Sequence, residues 1–262
     1  PALLELVGYD SEREELIFFV GESDYQAELA KRDFKTSLQE RQFGISATMI
    51  RENPSRYWKY MAQPFRRHFT KKVLIMGSAS NGKTTLAKDL ARFYDAPVSL
   101  EYAREYQIQN NVRDDELTPK DYYYLLLGQY AQTSRLIDSN ANRGLVVADT
   151  NSLVTKAYYD YYLKESPVQD EETDTFDNLF VSILSKEKWD LILFAEPVGT
   201  YVNDGFRDMS MADEAIRSDF SSYLKKLKEQ YLPDHPTVYL AGSYLDNYQV
   251  AKKAINRIYQ AD

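Results

Sequence analysis

Lys83 and Thr84 follow two glycines set five apart, in the run Gly77-Ser78-Ala79-Ser80-Asn81-Gly82-Lys83-Thr84-Thr85. Gly77 and Gly82 open backbone angles closed to other residues, so that successive N–H groups turn inward around a phosphate. Lys83 adds a positive charge for the β- and γ-phosphates, and Thr84 offers a hydroxyl to Mg²⁺. The helix that begins here points its positive end at the anion. An apolar strand before it (Lys72–Met76) and a helical stretch after it (Thr84–Tyr94) supply the context this spacing requires. The run is a P-loop, and Gly77 to Thr85 are expected to bind ATP, or a similar nucleotide, with magnesium.

Asp149 closes the apolar run Leu145–Asp149. In a parallel α/β sheet, ligands sit outside the carboxyl ends of the strands, which aims this carboxylate at the nucleotide. It could hold magnesium, take a proton from an acceptor hydroxyl, or cap the helix starting at Thr150. Neither an Asp-x-x-Gly nor an Asn-Lys-x-Asp pattern accompanies it, which argues against a regulatory GTPase. The segment Glu101-Tyr102-Ala103-Arg104-Glu105-Tyr106 starts at the end of another strand. Its charged and aromatic groups suit a flat, polar acceptor, or they pair among themselves at the surface. A loop from Glu196 to Asp208 carries Gly199, Tyr201, Asp204, Gly205 and Arg207. A kinase must keep water from the transferring phosphoryl group, and an arginine brought in by a lid stabilises its spread charge. Arg207 is the first candidate for that role and Arg217 the second; ion pairs with neighbouring acids are the alternative for both. The tyrosine-rich stretches Tyr122–Tyr124 and Tyr158–Tyr162 are expected to pack helices.

The elements that must position these groups follow from hydrophobic pattern. Short apolar runs at Val73–Met76, Val98–Glu101, Leu145–Asp149, Leu191–Ala195 and Val238–Ala241 alternate with longer helical stretches. That alternation predicts an α/β fold with a parallel five-stranded sheet flanked by helices, and the resemblance of the P-loop and its surroundings to a P-loop kinase fold implies the order 2-3-1-4-5. Thr118-Pro119 opens a helix running towards Ser139, and others are expected over Asp213–Gln230 and Asn247–Tyr259. The acidic stretch Glu165–Asp177 is expected to be a solvated loop and helix start. Residues 1–70 read as a separate partial α/β segment, with a strand at Glu15–Val20, a helix over Tyr25–Leu38 and a second helix from Ser46 to Arg51 that Asn53-Pro54 interrupts. Residues 71–262 form the P-loop domain.

A net charge of -8 gives no electrostatic support for nucleic-acid binding. No cysteine is present, and His68 and His235 are isolated, so no disulfide framework or His/Cys metal cluster is expected. With no bilayer-length apolar run and an acidic start, the protein is expected to be cytoplasmic and free of membranes. The first residue is Pro1, which leaves room for a longer protein around this chain.

Several of these motifs, in order, resemble the NadR family of NAD-salvage proteins. They are Ile45-Ser-Ala-Thr48-Met-Ile-Arg51-Glu-Asn-Pro54-Ser-Arg-Tyr57-Trp58, the P-loop, Glu101–Tyr106, Asp149-Thr-Asn151 and Asp204-Gly-Phe-Arg207. Such proteins join a nicotinamide-mononucleotide adenylyltransferase domain to a ribosylnicotinamide kinase domain. The resemblance implies that residues 71–262 phosphorylate the 5′-hydroxyl of nicotinamide riboside with ATP. By the same resemblance Lys83, Asp149 and Arg207 are catalytic, and Thr84 and Asp149 hold the metal. Glu101, Tyr102, Arg104, Tyr106, Asn151, Tyr201 and Asp204 then bind the riboside. Two positions depart from the family pattern: Tyr201 stands where tryptophan is usual, and Asn151 where a second aspartate is. A tyrosine can still stack on the pyridinium ring. Ile45–Arg51 looks like the closing motif of a nucleotidyltransferase, whereas the Gly-His pair that opens that domain is absent. No adenylyl transfer is expected from this chain alone. A kinase for another nucleoside, or a nucleotide sensor that moves no phosphate, are the competing readings.

Overall fold

The computed structural model describes residues 10, 15–40, 43–163, 170–197, 201, 205 and 207–259. The chain divides into two compact units, Pro1–Asn53 and Pro54–Asp262.

In the first unit, β1 (Ile17–Val20) pairs in parallel with β2 (Lys35–Leu38), and α1 (Ser23–Ala30) lies between them in sequence. The single helix expected over Tyr25–Leu38 is therefore a helix followed by a strand. Asp33 turns the chain with a left-handed φ of 58°. Phe34 then sets its ring edge-on to Phe18 of β1, with centroids 5.1 Å apart, and the next four residues gain ladder hydrogen bonds in place of helical ones. α2 (Ala47–Glu52) starts at Ser46, whose side chain accepts from the Met49 amide, and ends before Pro54. No described residue of this unit is buried.

The second unit begins earlier than the 70/71 division drawn from sequence, because Trp58 and Met61 belong to its core. Both are buried. The Trp58 indole N–H donates to the Asn142 carbonyl at 2.8 Å, and the Asn142 side chain donates to the Thr70 hydroxyl at 2.8 Å. α3 (Gln63–Phe69) leads from there into the first strand of the main sheet.

That sheet consists of β3 (Lys71–Met76), β4 (Val98–Ser99), β5 (Leu145–Asp149), β6 (Leu191–Ala195) and β7 (Thr237–Leu240), all parallel, in the order β4-β5-β3-β6-β7. This is the expected 2-3-1-4-5 arrangement. β4 is two residues shorter than expected because Glu101 already stands at the N-cap of α5 (Tyr102–Asn110). β5, β6 and the last four residues of β3 are buried on both faces, and their side chains alternate between two cores. Leu74, Met76, Ala148, Ile192 and Phe194 face a layer built on α6 (Pro119–Ile137), α7 (Ser152–Leu163), α8 (Asp170–Leu184) and α9 (Glu214–Tyr231). Val73, Ile75, Val147, Leu191 and Leu193 face α4 (Lys83–Phe93) and α10 (Tyr244–Ile258). Each such Val, Leu, Ile, Met or Phe side chain contributes about 1.5–3 kcal/mol by leaving water. The sheet is thus a rigid floor whose carboxyl edge carries the loops after β3, β4, β5 and β6. Of the acidic stretch, Asp170–Asp177 lies within α8, and the part before Asp170 falls outside the described residues. Among the described residues, no helix is long and apolar enough to cross a membrane.

Candidate active site

The loop after β3 owes its shape to backbone angles that few residues adopt. Gly77 has φ of 146°, and a Cβ there would stand 2.3 Å from the Ala195 carbonyl oxygen at the end of β6. Ser80 and Gly82 are also left-handed, with φ of 62° and 73°. The Asn81 amide ties the loop across itself, donating to Ser78 Oγ at 2.9 Å and to the Ala195 carbonyl at 3.3 Å. Gly82 is the N-cap of α4, so that helix begins with free N–H groups facing the loop. Buried Lys83 folds back and donates from Nζ to the Ser78 carbonyl at 2.6 Å. The loop is a closed backbone ring with a lysine across it, the form that suits a polyphosphate.

Asp149 lies directly beneath. It is fully buried, and one of its carboxylate oxygens accepts from the Thr84 hydroxyl at 2.5 Å. Its other oxygen is buried and makes no hydrogen bond among the described residues. Burial pushes its pKa up to about 6, with Lys83 opposing the rise and Glu101 adding to it. Thr150 then turns the chain into α7 with φ of 83°, a left-handed angle that costs a residue with a β-branched side chain about 1–3 kcal/mol. A hydroxyl and a carboxylate with a spare oxygen make a hard, all-oxygen donor pair of the kind magnesium takes. Among the described residues no cluster of three His, Asp or Glu competes with it.

A cavity of about 290 Å³ opens from the loop towards the helices on the β4 and β5 side. Ala79 to Thr85 form one end. Glu101 at the N-cap of α5, Arg104 and Gln107 within it, Asp114 from the turn after it, Tyr122 and Gln129 of α6, and Tyr158 and Tyr162 of α7 line the rest. Arg207 reaches into the same space and donates to Ser80 Oγ at 2.5 Å. Its neighbour Asp208 is held from three directions. Its amide donates to Asp114 Oδ2 at 3.1 Å, the Tyr162 hydroxyl donates to its carboxylate at 3.1 Å, and the Tyr201 hydroxyl donates to its carbonyl at 3.0 Å. Two consecutive residues thereby touch the phosphate loop and the opposite wall. Arg217 is buried, and its guanidinium, like that of Arg207, lies just under 6 Å from the centre of the Tyr201 ring.

The structure therefore gathers Ala79–Thr85, Glu101, Arg104 and Arg207 around one cavity, with Gly77, Ser78 and Asp149 immediately behind them and Tyr201 beside both arginines. Three residues singled out from sequence are engaged elsewhere. Tyr106 donates from its hydroxyl to Asp121 at 2.5 Å, where Asp121 also accepts from the Thr118 amide at 2.7 Å and so closes the first turn of α6. Tyr102 lays its ring over Gly128 of α6. Asn151 is buried and donates to Glu187 at 2.8 Å, a carboxylate whose pKa burial raises. These are packing and anchoring contacts, not cavity lining. Asp204 lies outside the described residues.

Asp114 has no expected role from sequence, and Tyr122, Tyr158 and Tyr162, expected only to pack helices, also line the cavity. Tyr158 and Tyr162 sit four apart and share a helix face, stacked with centroids 6.2 Å apart, which from sequence is indistinguishable from a core stripe. Asp114 sits in the polar run Arg113–Glu116, which reads as solvated surface.

Residues 72–240 match the family model described as an AAA domain. The chain is 30% identical over 190 residues to the trifunctional NAD biosynthesis/regulator protein NadR of Escherichia coli (strain K12), covering 71% of this chain and 42% of that protein. It thus spans about two fifths of the length of that curated relative. A crystal structure of a NadR protein in complex with NR matches all of this chain and 74% of its own, with a TM-score of 0.80 and 39% identity. A second, of a NadR protein in complex with NAD and AMP-PNP, matches 99% of this chain and 72% of its own, with a TM-score of 0.79 and 36% identity. Matched from end to end by chains of that kind, and carrying their motifs on a parallel sheet of 2-3-1-4-5 order, this chain belongs to the NadR family.

Proposed function

We propose that the second unit is a ribosylnicotinamide kinase, which transfers the γ-phosphoryl group of ATP to the 5′-hydroxyl of nicotinamide riboside and forms nicotinamide mononucleotide. The observation that carries this reading is the single cavity that runs from the phosphate loop to a wall of carboxylates and tyrosines. A sensor needs a nucleotide site, whereas a kinase needs that site to open onto a second one. The relatives solved with NR and with AMP-PNP support both halves.

In this reading the amides of Ser78 to Thr84 and the Lys83 ammonium hold the β- and γ-phosphates of ATP. Thr84 and Asp149 would hold Mg²⁺, which when bound neutralises charge on the phosphate oxygens. Arg207, already at Ser80, stands beside the transferring group and stabilises charge that grows on its equatorial oxygens. As the acceptor hydroxyl attacks the γ-phosphorus, its proton must leave. Asp149 is fully buried and bonded to Thr84, so it suits the metal. Glu101 is the carboxylate at the cavity wall beside the loop, and it takes the proton.

The test is acceptor-dependent ADP release, comparing nicotinamide riboside with uridine, cytidine and deoxynucleosides at equal concentration. Nicotinamide riboside should be preferred, and Glu101→Gln should cut kcat about 100-fold with the KM for ATP within about twofold. Preference for another nucleoside, or ADP release indifferent to acceptor, would refute the assignment.

A further inference from the structure

We infer that Thr150 is a further catalytic residue, whose side-chain hydroxyl donates a hydrogen bond to the transferring phosphoryl group from the β5 side of the cavity. This inference rests on the kinase reading for the identity of that group.

Five described residues other than glycine have a left-handed φ. Three of them, Asp33, Asp95 and Asn111, are types that tolerate the angle, and Ser80 belongs to the phosphate loop. Thr150, at 83°, is the one with a β-branched side chain, for which such an angle is an outlier. Backbone strain of this kind persists where the surroundings over-determine it, and they do so here on both sides. The Thr150 amide donates to the carbonyl of Ile75, two residues before Gly77, at 3.0 Å. Asp149, before it, is bonded to the Thr84 hydroxyl at 2.5 Å. After it, the Asn151 side chain and the Ser152 amide donate to the Glu187 carboxylate at 2.8 and 3.3 Å.

The hydroxyl held in this clamp is oriented but unspent. Thr150 lines the cavity and is 4% exposed, and its Oγ1 has no hydrogen-bond partner among the described residues. Burying a hydroxyl unpaired is unfavourable, and that cost is recovered when an oxygen acceptor enters. Thr150 stands one residue from the carboxylate bonded to Thr84 and shares the cavity wall with Val154 and Thr155 of α7, where the phosphate loop gives onto the rest of the cavity. An anionic phosphoryl oxygen is the acceptor that this position meets. In the transfer, a lone pair of the acceptor hydroxyl oxygen forms the new bond to the γ-phosphorus. The bond from that phosphorus to the β,γ-bridging oxygen breaks, its electron pair leaves on ADP, and the hydroxyl proton passes to Glu101. Thr150 exchanges no proton. Its O–H strengthens its hold on an equatorial oxygen as charge spreads there, from the side away from Arg207, which comes from the loop after β6.

The test follows acceptor-dependent ADP release and thermal unfolding of the full chain, comparing the wild type with Thr150→Val, which keeps the branched shape and loses the hydroxyl, and Thr150→Ser, which keeps the hydroxyl. Thr150→Val should lose kcat about 30- to 100-fold, with the KM values for ATP and nicotinamide riboside within about threefold. Without ligands it should unfold about 2–4 °C higher than the wild type, because it buries no unpaired hydroxyl. Thr150→Ser should stay within about threefold of the wild-type kcat. If Thr150→Val does not fold, Thr150→Gly, which takes a left-handed angle freely, stands in its place with the same loss of kcat expected. A kcat for Thr150→Val within about threefold of the wild type, a Thr150→Ser as slow as Thr150→Val, a loss confined to KM, or a Thr150→Val that unfolds below the wild type overturns the inference. Wild-type turnover with an undiminished Thr150→Val overturns this inference alone. Preference for another nucleoside overturns the acceptor alone, and the variants are then compared on that nucleoside. Absence of acceptor-dependent ADP release by the wild type overturns the kinase reading and this inference with it.

Discussion

The two ends of the cavity are built by different means. The phosphate end is one contiguous loop whose recognition groups are backbone amides, set by three left-handed residues and one lysine. The acceptor end is assembled from side chains on three helices and a turn, spread from Glu101 to Tyr162 in sequence. A backbone site needs particular residue types at fixed spacing, so it survives as a motif. A site made of side chains needs only that distant elements meet, and any of several residue types could serve. The contrast predicts that changes at the phosphate end act on catalysis and nucleotide, and changes at the other end on acceptor choice or on nothing but packing.

The largest effect is expected from Lys83→Ala, which removes the one ammonium across the loop. kcat should fall about 1000-fold or more, with acceptor affinity by calorimetry within about twofold. A comparable loss of acceptor binding would break the division between the ends. Arg207→Lys keeps a charge but loses the planar fork. A drop in kcat of about 10- to 100-fold is expected, with little change in acceptor KM. An effect confined to acceptor KM would move Arg207 to the other wall.

Asp149 sharpens the comparison through stability. Its folded-state pKa is raised from 3.8 to about 6. A carboxyl raised in this way binds more protons when folded, so it favours folding below pH 4 and loses that contribution as pH rises through 6. At pH 7, without nucleotide or metal, Asp149→Asn should therefore be more stable than the wild type by about 1–3 kcal/mol in chemical denaturation. The difference should shrink as pH falls towards 4, and the same variant should lose most of its activity. A wild type more stable than the variant at pH 7 would contradict the geometry. The smallest effect is expected of Tyr106→Phe, which removes only the bond to Asp121. It should cost about 1 kcal/mol in stability and leave both KM values unchanged, so a raised acceptor KM would return Tyr106 to the site.

The same distinction explains what could be read in advance. β5 and β6 were placed to the residue because a strand buried on both faces is a continuous apolar run bounded by polar ends. The P-loop was legible through its glycines, and the edge position of Glu101 followed from β4. The helix over Tyr25–Leu38 was misjudged because Lys35-Thr-Ser-Leu38 has no strong period of its own, and its strand character comes from pairing with Ile17–Val20. Tyr102 and Tyr106 looked equivalent to Glu101 and Arg104 in sequence. Helical geometry divides them, sending the tyrosines against α6 and the charged pair into the cavity. Asp114 and Tyr158 carried no signal, since only the meeting of α5, α6 and α7 gives them a common purpose.

The indole of Trp58 has a consequence for how this protein can be taken apart and recombined. Because Trp58 and Met61 are buried in the sheet-bearing unit and Trp58 clasps Asn142, the natural seam is at Asn53-Pro54 and not at the first strand of the P-loop domain. A chain shortened to begin at Lys71 would lose the indole and leave the Asn142 carbonyl without its donor. One beginning at Pro54 keeps the seal intact. The seventeen residues from Pro54 to Thr70 therefore belong with the sheet-bearing unit.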